Sequence, residues 1–222
     1  MDKYFASDYA EARGKFLTAA EAADVLLRQF DHPLTGPSGE ALGTDIVWLG
    51  AQDARHVVVA GSATHGIEGF CGSGCQTGFL TENWKSRLGP DSALVLVHAN
   101  NPYGFAHQRR VNEDNIDLNR NFIDFDAETP ESPGYAELHP ALVPEAWDGP
   151  VREAADAAIE AYKVREGLSV FQQVTSRGQY TFPDGLFFGG AGPSWSRRTI
   201  EGFAGKHLAE AKRIAVVDFH TG

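Results

Sequence analysis

The sequence predicts an α/β fold, with helices layered on both faces of a mixed, mainly parallel sheet. Three observations carry this expectation. Short apolar, β-branched runs recur along the chain, among them Val57-Val58-Val59-Ala60, Leu94-Val95-Leu96-Val97 and Ile214-Ala215-Val216-Val217. Segments with apolar residues at helical spacing lie between them. Gly-, Asn- and Pro-rich turns punctuate the alternation. The 222 residues suffice for one domain, 1–222, with a sizeable core.

Taken in order, residues 4–30 read as a helix, with Phe16, Ala20, Ala23, Leu27 and Phe30 at helical spacing. The stretch from Asp31 to Gly39, with two prolines and two glycines, breaks it. Strands are expected over 44–49 and 55–60. A helix should follow from Glu68 or Gly69 to Arg87. Gly72, Gly74 and Gly78 are costly in its interior unless the backbone packs closely on the sheet. A third strand covers 93–99 and turns at Asn100-Asn101-Pro102-Tyr103-Gly104. Residues 123–150, rich in Pro, Glu and Asp, read as an irregular surface excursion. Helices are expected over 151–167 and 168–178, then a Gly-rich loop over 183–193. A further helix, capped by Ser194 or Ser196, should reach Lys212. A last strand ends at His220.

Composition excludes several classes. Nineteen basic against thirty acidic residues give a formal net charge of −11, so no basic stripe is available for nucleic acid. No apolar run approaches the 18 residues of a membrane span. Met1-Asp2-Lys3-Tyr4-Phe5 lacks the basic-then-apolar order of a signal peptide. Cys71 and Cys75 are the two cysteines. At i, i+4 on a helix they read as small buried residues rather than a useful disulfide, which suits a reducing, cytoplasmic compartment. Gly72-Ser73-Gly74 lacks the third glycine of a dinucleotide loop, since Thr77 stands there, and no Gly-x-Ser-x-Gly elbow marks a serine hydrolase.

The segment Gly61-Ser62-Ala63-Thr64-His65-Gly66-Ile67-Glu68-Gly69 leaves a strand-like run. An imidazole and a carboxylate three residues apart there can close on one metal ion, and zinc accepts both donor types. His220 ends another strand-like run, so in a parallel sheet both histidines lie at the carboxyl edge, where α/β proteins place their sites. The simpler account of His-x-x-Glu alone is a solvated loop. Residues 108–122 weigh against it. They hold Arg109, Arg110 and Arg120, four asparagines, and Glu113, Asp114 and Asp117, directly after the third strand. A guanidinium fork matches a carboxylate with two parallel hydrogen bonds.

His65-x-x-Glu68, then Asp117-Leu118-Asn119-Arg120, then His220 after a strand resembles the zinc carboxypeptidase superfamily. That superfamily includes the carboxypeptidase A type and the aspartoacylase and succinylglutamate desuccinylase type. Asn101-Pro102-Tyr103-Gly104-Phe105, Arg109-Arg110-Val111-Asn112-Glu113 and Pro183 to Gly190 further resemble its bacterial branch of uncharacterised function. The resemblance covers residues 57–222. It implies a carboxypeptidase-like (phosphorylase/hydrolase-like) fold and one zinc ion held by His65, Glu68 and His220. It implies that Asp117 accepts a hydrogen bond from His65, setting its tautomer. Asn119 and Arg120 match the pair that grips the substrate carboxylate. Arg110, with Arg109 as the alternative, matches the arginine that polarises the scissile carbonyl.

The implied activity is zinc-dependent hydrolysis of a peptide or amide bond next to a free carboxylate, in the metallocarboxypeptidase or N-acyl-amino-acid deacylase manner. The implied substrate is a small peptide or N-acyl amino acid. The family's general base is a glutamate on a strand beyond the third zinc ligand, whereas this sequence ends two residues after His220. The expectation is therefore a chain truncated before the family's C-terminal strands. The alternative is a degenerate or truncated metal- or peptide-binding module without the base.

Overall fold

The computed structural model describes residues 2–221, with Met1 and Gly222 outside the described residues. They divide into two compact units. One comprises the residues up to Glu113 together with those from Trp195, and the other is Asp114–Ser194.

The first unit carries a five-stranded sheet: β1 (Leu26–Thr35), β2 (Ala41–Gly50), β3 (His56–Ser62), β4 (Ser92–His98) and β5 (Arg213–Phe219), in the order β1-β2-β4-β3-β5. β1 and β4 each pair antiparallel with β2, while β3 pairs parallel with β4 and with β5. Four strands thus run one way and β2 opposes them, the mixed, mainly parallel sheet expected. Register sets Gly61 opposite Val97 on one side and Asp218 on the other. The carboxyl ends of β3, β4 and β5 are therefore level.

Alternating side chains build a core on each face, because successive strand residues point to opposite sides. On one face Val47, Leu49, Ala60, Leu94 and Leu96 pack with Phe16 and Ala20 of α1 (Tyr9–Ala22) and Leu80 of α2 (Gly69–Thr81). On the other, Ile46, Trp48, Val57, Ala93, Val95 and Val97 pack with Phe203 of α8 (Trp195–His207) and with Leu208. Val95 and Leu96, on opposite faces, are both fully buried. Such a side chain contributes about 1.5–3 kcal/mol by burial.

The expected 4–30 helix stops early. Asp8 caps α1, its carboxylate accepting from Glu11 N–H at 2.8 Å, and the helix ends at Ala22. Asp24 then adopts a left-handed φ of 47°, and Leu27 and Phe30 bury from β1 on opposite faces of the sheet. No Gly or Pro marks this stop, which is why periodicity ran through it. Pro33, read as part of a breaker, sits within β1 at a register shift. An edge strand accommodates proline because one side needs no donor. The helix expected to reach Arg87 breaks at Asn83 (φ 52°), leaving α2 and a separate 3-10 turn, Trp84–Arg87. Gly72 justifies its glycine against the sheet, where a Cβ would meet Ser62 and Phe219, whereas Gly74 faces the Phe5 ring. Cys71 and Cys75 are free and half-buried on α2.

The second unit contains α4 (Leu118–Asn121), α5 (Pro133–Leu142), α6 (Gly149–Glu166) and α7 (Leu168–Ser176). α5 contradicts the irregular excursion expected over 123–150. Pro133 begins it, where the missing N–H costs nothing, and Tyr135 and Leu138 anchor its buried face. Of the five prolines that suggested a loop, Pro133 starts this helix, Pro140 lies in its interior and Pro150 lies in the first turn of α6. The loop after α7 folds back through the buried Gln179, whose side chain serves the backbones of Thr181 and Phe182. Asn121 ties down the loop from Gly189 to Ser194.

Candidate metal centre

Thr64, His65 and Glu68 follow β3, Asn100 and Asn101 follow β4, and His220 follows β5. The level strand ends bring these loops together. A one-turn 3-10 helix, Gly66–Glu68, carries Glu68 back toward His65. The backbone there touches Gly104 so closely that a Cβ on Gly66 would overlap the Gly104 carbonyl carbon. Glycine at 66 is thus a packing requirement. The segment also receives the arginine-bearing loop, since Gly66 N–H donates to the Arg110 carbonyl (3.3 Å) and Ile67 N–H to the Arg109 carbonyl (3.2 Å). Asn101 reinforces that loop, reaching the Arg110 carbonyl with its side-chain NH2 and accepting from Gly104 N–H.

One potential ligand atom from each of His65, Glu68 and His220 lies within 4.8 Å of the other two. His65 Nδ1 is 2.9 Å from Glu68 Oε1. The His65 and His220 rings meet edge to face, centroids 4.7 Å apart. Glu68 Oε2 accepts from Thr221 N–H at 3.0 Å. His65 is buried, the Glu68 side chain is 9% exposed and that of His220 30%. Burial works to raise the Glu68 carboxyl. The Thr221 N–H, the His65 imidazole and the charges of His65 and His220 outweigh it and hold the group below its ordinary value. A carboxylate kept ionised beside two imidazoles is the donor set zinc accepts. With bonds of about 2.0–2.2 Å, tetrahedral ligand atoms stand about 3.3–3.6 Å apart, so the observed cluster needs only small side-chain rotations to close on an ion. The residues fit the implied metal.

His220 has a neighbour that the motif reasoning passed over. Its Nδ1 lies 3.1 Å from Asp218 Oδ2, and Asp218 Oδ1 accepts from Thr64 Oγ1 at 2.9 Å. Asn100 Nδ2 in turn donates to Thr64 Oγ1 at 2.8 Å. The available signal was Asp-x-His at the end of a strand.

The remaining expected residues lie in the second unit. Asp117 is fully buried and caps α4, accepting from Asn119 N–H at 3.0 Å. The Arg120 guanidinium donates from Nη2 to the Ser176 carbonyl at 2.9 Å, and its buried Nε has no hydrogen-bond partner among the described residues. Tyr180 donates to the Arg120 carbonyl at 2.7 Å. A Cβ on Gly178 would press on the Arg120 side chain, so that glycine leaves the arginine its room.

The family described as "Protein of unknown function (DUF2817)" matches residues 5–222. The chain belongs to this family. No curated protein matches this DUF2817 chain. Among solved structures it is similar to bovine thrombin-activatable fibrinolysis inhibitor in complex with tick carboxypeptidase inhibitor. The identity is 13% and the TM-score 0.53, over 96% of this chain and 60% of that one. It is also similar to a second structure of thrombin-activatable fibrinolysis inhibitor, at 14% identity and TM-score 0.51, over 94% of this chain and 46% of that one. The chain thus spans about half to three-fifths of the length of these proteins. At such identities the likeness establishes the fold of the DUF2817 chain. Among the described residues no helix is long and apolar enough to cross a membrane.

Proposed function

We propose that this protein is a zinc-dependent hydrolase that cleaves a peptide or amide bond next to a free carboxylate. The observation that carries the proposal is the convergence of potential ligand atoms from His65, Glu68 and His220 within 4.8 Å at the carboxyl edge of the sheet. These three residues would hold the ion. A zinc ion bound there supplies a water acidified toward neutrality and polarises the substrate carbonyl.

The chain's own residues take the other roles. Arg110, or Arg109 in its place, stabilises charge on the carbonyl oxygen, and backbone hydrogen bonds fix this arginine pair against the His65–Glu68 turn. Asn119 and Arg120 grip the substrate carboxylate, which a guanidinium fork matches with parallel hydrogen bonds. Asp117 orients His65. A small peptide and an N-acyl amino acid both present the carboxylate this arrangement calls for.

The test is metal content by plasma mass spectrometry, beside His65→Ala and His220→Ala, followed by a screen of peptides and N-acyl amino acids. About one zinc per chain, lost in both variants, is the expected result. No zinc after loading, or full occupancy in either variant, removes the ligand set.

A further inference from the structure

We propose that the groove between α8 and the edge strand β1 is a binding site for a phosphoryl dianion, carried on a small organic molecule or free as phosphate. The site shares no residue with the metal cluster and does not depend on the zinc assignment.

Charge carries the argument. The chain has thirty acidic residues against nineteen basic ones. The groove, a cavity of about 640 Å³, is nevertheless lined by Arg28, Arg198, Lys206 and His207 and by no acid. Its volume falls in the range of small-molecule sites, and its walls belong wholly to the first unit. The one acid of α8, Glu201, is engaged by Arg197 Nε at 2.8 Å. The carboxyl-terminal dipole of α8 favours Lys206 and His207 in its last turn. Arg28 comes from a different element and adds a charge that the dipole does not call for.

The elements explain how the cations meet. β1 is the outermost strand on its side of the sheet. Arg28 and Phe30, two apart on it, face the layer of α8, since alternate strand residues share a side. Phe30 packs on the cluster that holds Phe203, and Arg28 Nε donates to His207 Nε2 at 3.2 Å. A guanidinium only donates, so His207 accepts here as a neutral ring. The rest of the Arg28 fork and the Lys206 ammonium have no hydrogen-bond or ion-pair partner among the described residues. Desolvation, followed by the charges of Arg28 and Lys206, lowers the His207 pKa. Both cations therefore act on one ring, and no carboxylate offsets them there.

The shape suits an anion with an apolar body. Arg198, Gly202 and Lys206 follow at four-residue steps along one side of α8. A Cβ on Gly202 would enter open space, so glycine keeps the groove low between the two basic side chains. Phe30 and Trp195 supply an apolar wall. A phosphomonoester carries about two negative charges at pH 7, matching Arg28 and Lys206, and its oxygens accept from a guanidinium fork.

The experiment titrates the protein with phenyl phosphate, inorganic phosphate and benzoate by calorimetry, and follows the His207 imidazole by NMR. Phenyl phosphate should bind saturably below about 10 mM, and the His207 pKa should rise as the dianion offsets the neighbouring charges. Arg28→Gln and Lys206→Gln should each weaken it about 10–100-fold, and Gly202→Leu, which keeps every charge, should weaken it by filling the groove. Tighter binding of phenyl phosphate than of phosphate identifies an organic phosphate as the ligand. Equal binding identifies free phosphate. Benzoate, with one charge on the same ring, should bind more weakly than phenyl phosphate. No saturable binding of either phosphate, or an unmoved His207 at saturation, overturns the proposal. So does binding that is lost in His65→Ala but kept in Lys206→Gln, which would place the anion at the metal cluster. Lys206 is exposed, so Lys206→Gln decides should Arg28→Gln fail to fold.

Discussion

His65 and His220 meet edge to face, with ring centroids 4.7 Å apart and planes at 86°. Glu68 closes the group, one oxygen toward His65 and the other on Thr221 N–H. The carboxylate is therefore held from two sides before any ion arrives. Glu68→Gln keeps the shape and removes the charge. It should weaken zinc binding by at least the about 10–100-fold typical of losing an outer partner. Chelator competition measures this, and wild-type affinity in Glu68→Gln would take Glu68 out of the ligand set.

Arg120 offers a second, independent test. Its Nη2 is committed to the Ser176 carbonyl and its Nε is unpartnered among the described residues. If it grips the substrate carboxylate, Arg120→Ala loses a charge-assisted hydrogen bond worth about 1.5–3 kcal/mol. KM for a carboxylate-bearing substrate should then rise about 10–100-fold, while an amidated substrate is barely affected. Equal KM values for wild type and Arg120→Ala on the free acid would end the clamp assignment.

These residues also show what the sequence discloses and what it withholds. β3, β4 and β5 were legible as short continuous apolar runs, although Ile214, Val216 and Val217 of the edge strand β5 are exposed, and His65, Glu68 and His220 stand just after two of them. β1 was not, because Leu27 and Phe30 also satisfy a helical period and the break at Asp24 uses a left-handed conformation without glycine. α5 was hidden by Pro133, which its first turn tolerates, and by Pro140 in its interior. Asp218 was visible as a letter, but the hydrogen bond it accepts from Thr64 joins residues far apart in the chain, and only the folded sheet brings them alongside.

The clamp of α1 onto the β1–β2 hairpin predicts a stability effect far from the metal cluster. Arg13 meets the fully buried Asp45 through Nε at 2.7 Å and Nη2 at 3.1 Å, and Gln29 adds a bond to the same carboxylate at 3.0 Å. A bidentate pair of this kind satisfies both charges, and removing one partner strands the other. Arg13→Ala should cost about 3–5 kcal/mol, read as a lower urea midpoint. The Arg13→Met, Asp45→Leu double variant should recover most of it, since an apolar pair leaves no buried charge. A single variant within about 0.5 kcal/mol of wild type would show the pair to be idle.

His98 sets the acid side of the stability profile. It is fully buried, stacks on Phe16 with centroids 4.6 Å apart and places Nε2 2.9 Å from Ser73 Oγ. Burial lowers its pKa from 6.5 to about 4, with the Arg13 charge acting in the same direction and Asp45 opposing. Above 6.5 both folded and unfolded chains hold it neutral. Between 6.5 and about 4 the unfolded chain binds a proton that the folded chain refuses, so stability falls as pH falls. Below about 4 the loss levels off, at about 3 kcal/mol in all. His207, also lowered by burial and by the Arg28 and Lys206 charges, shares the window. Glu11 and Glu68, lowered from 4.5, act beneath it. Urea titrations at pH 7.5, 6, 5 and 4.5 on wild type and His98→Gln isolate the contribution. The variant starts less stable, because Gln loses the stacking on Phe16, but its profile should be flatter across this range. Parallel profiles for the two proteins would show that His98 is protonated alike in both states.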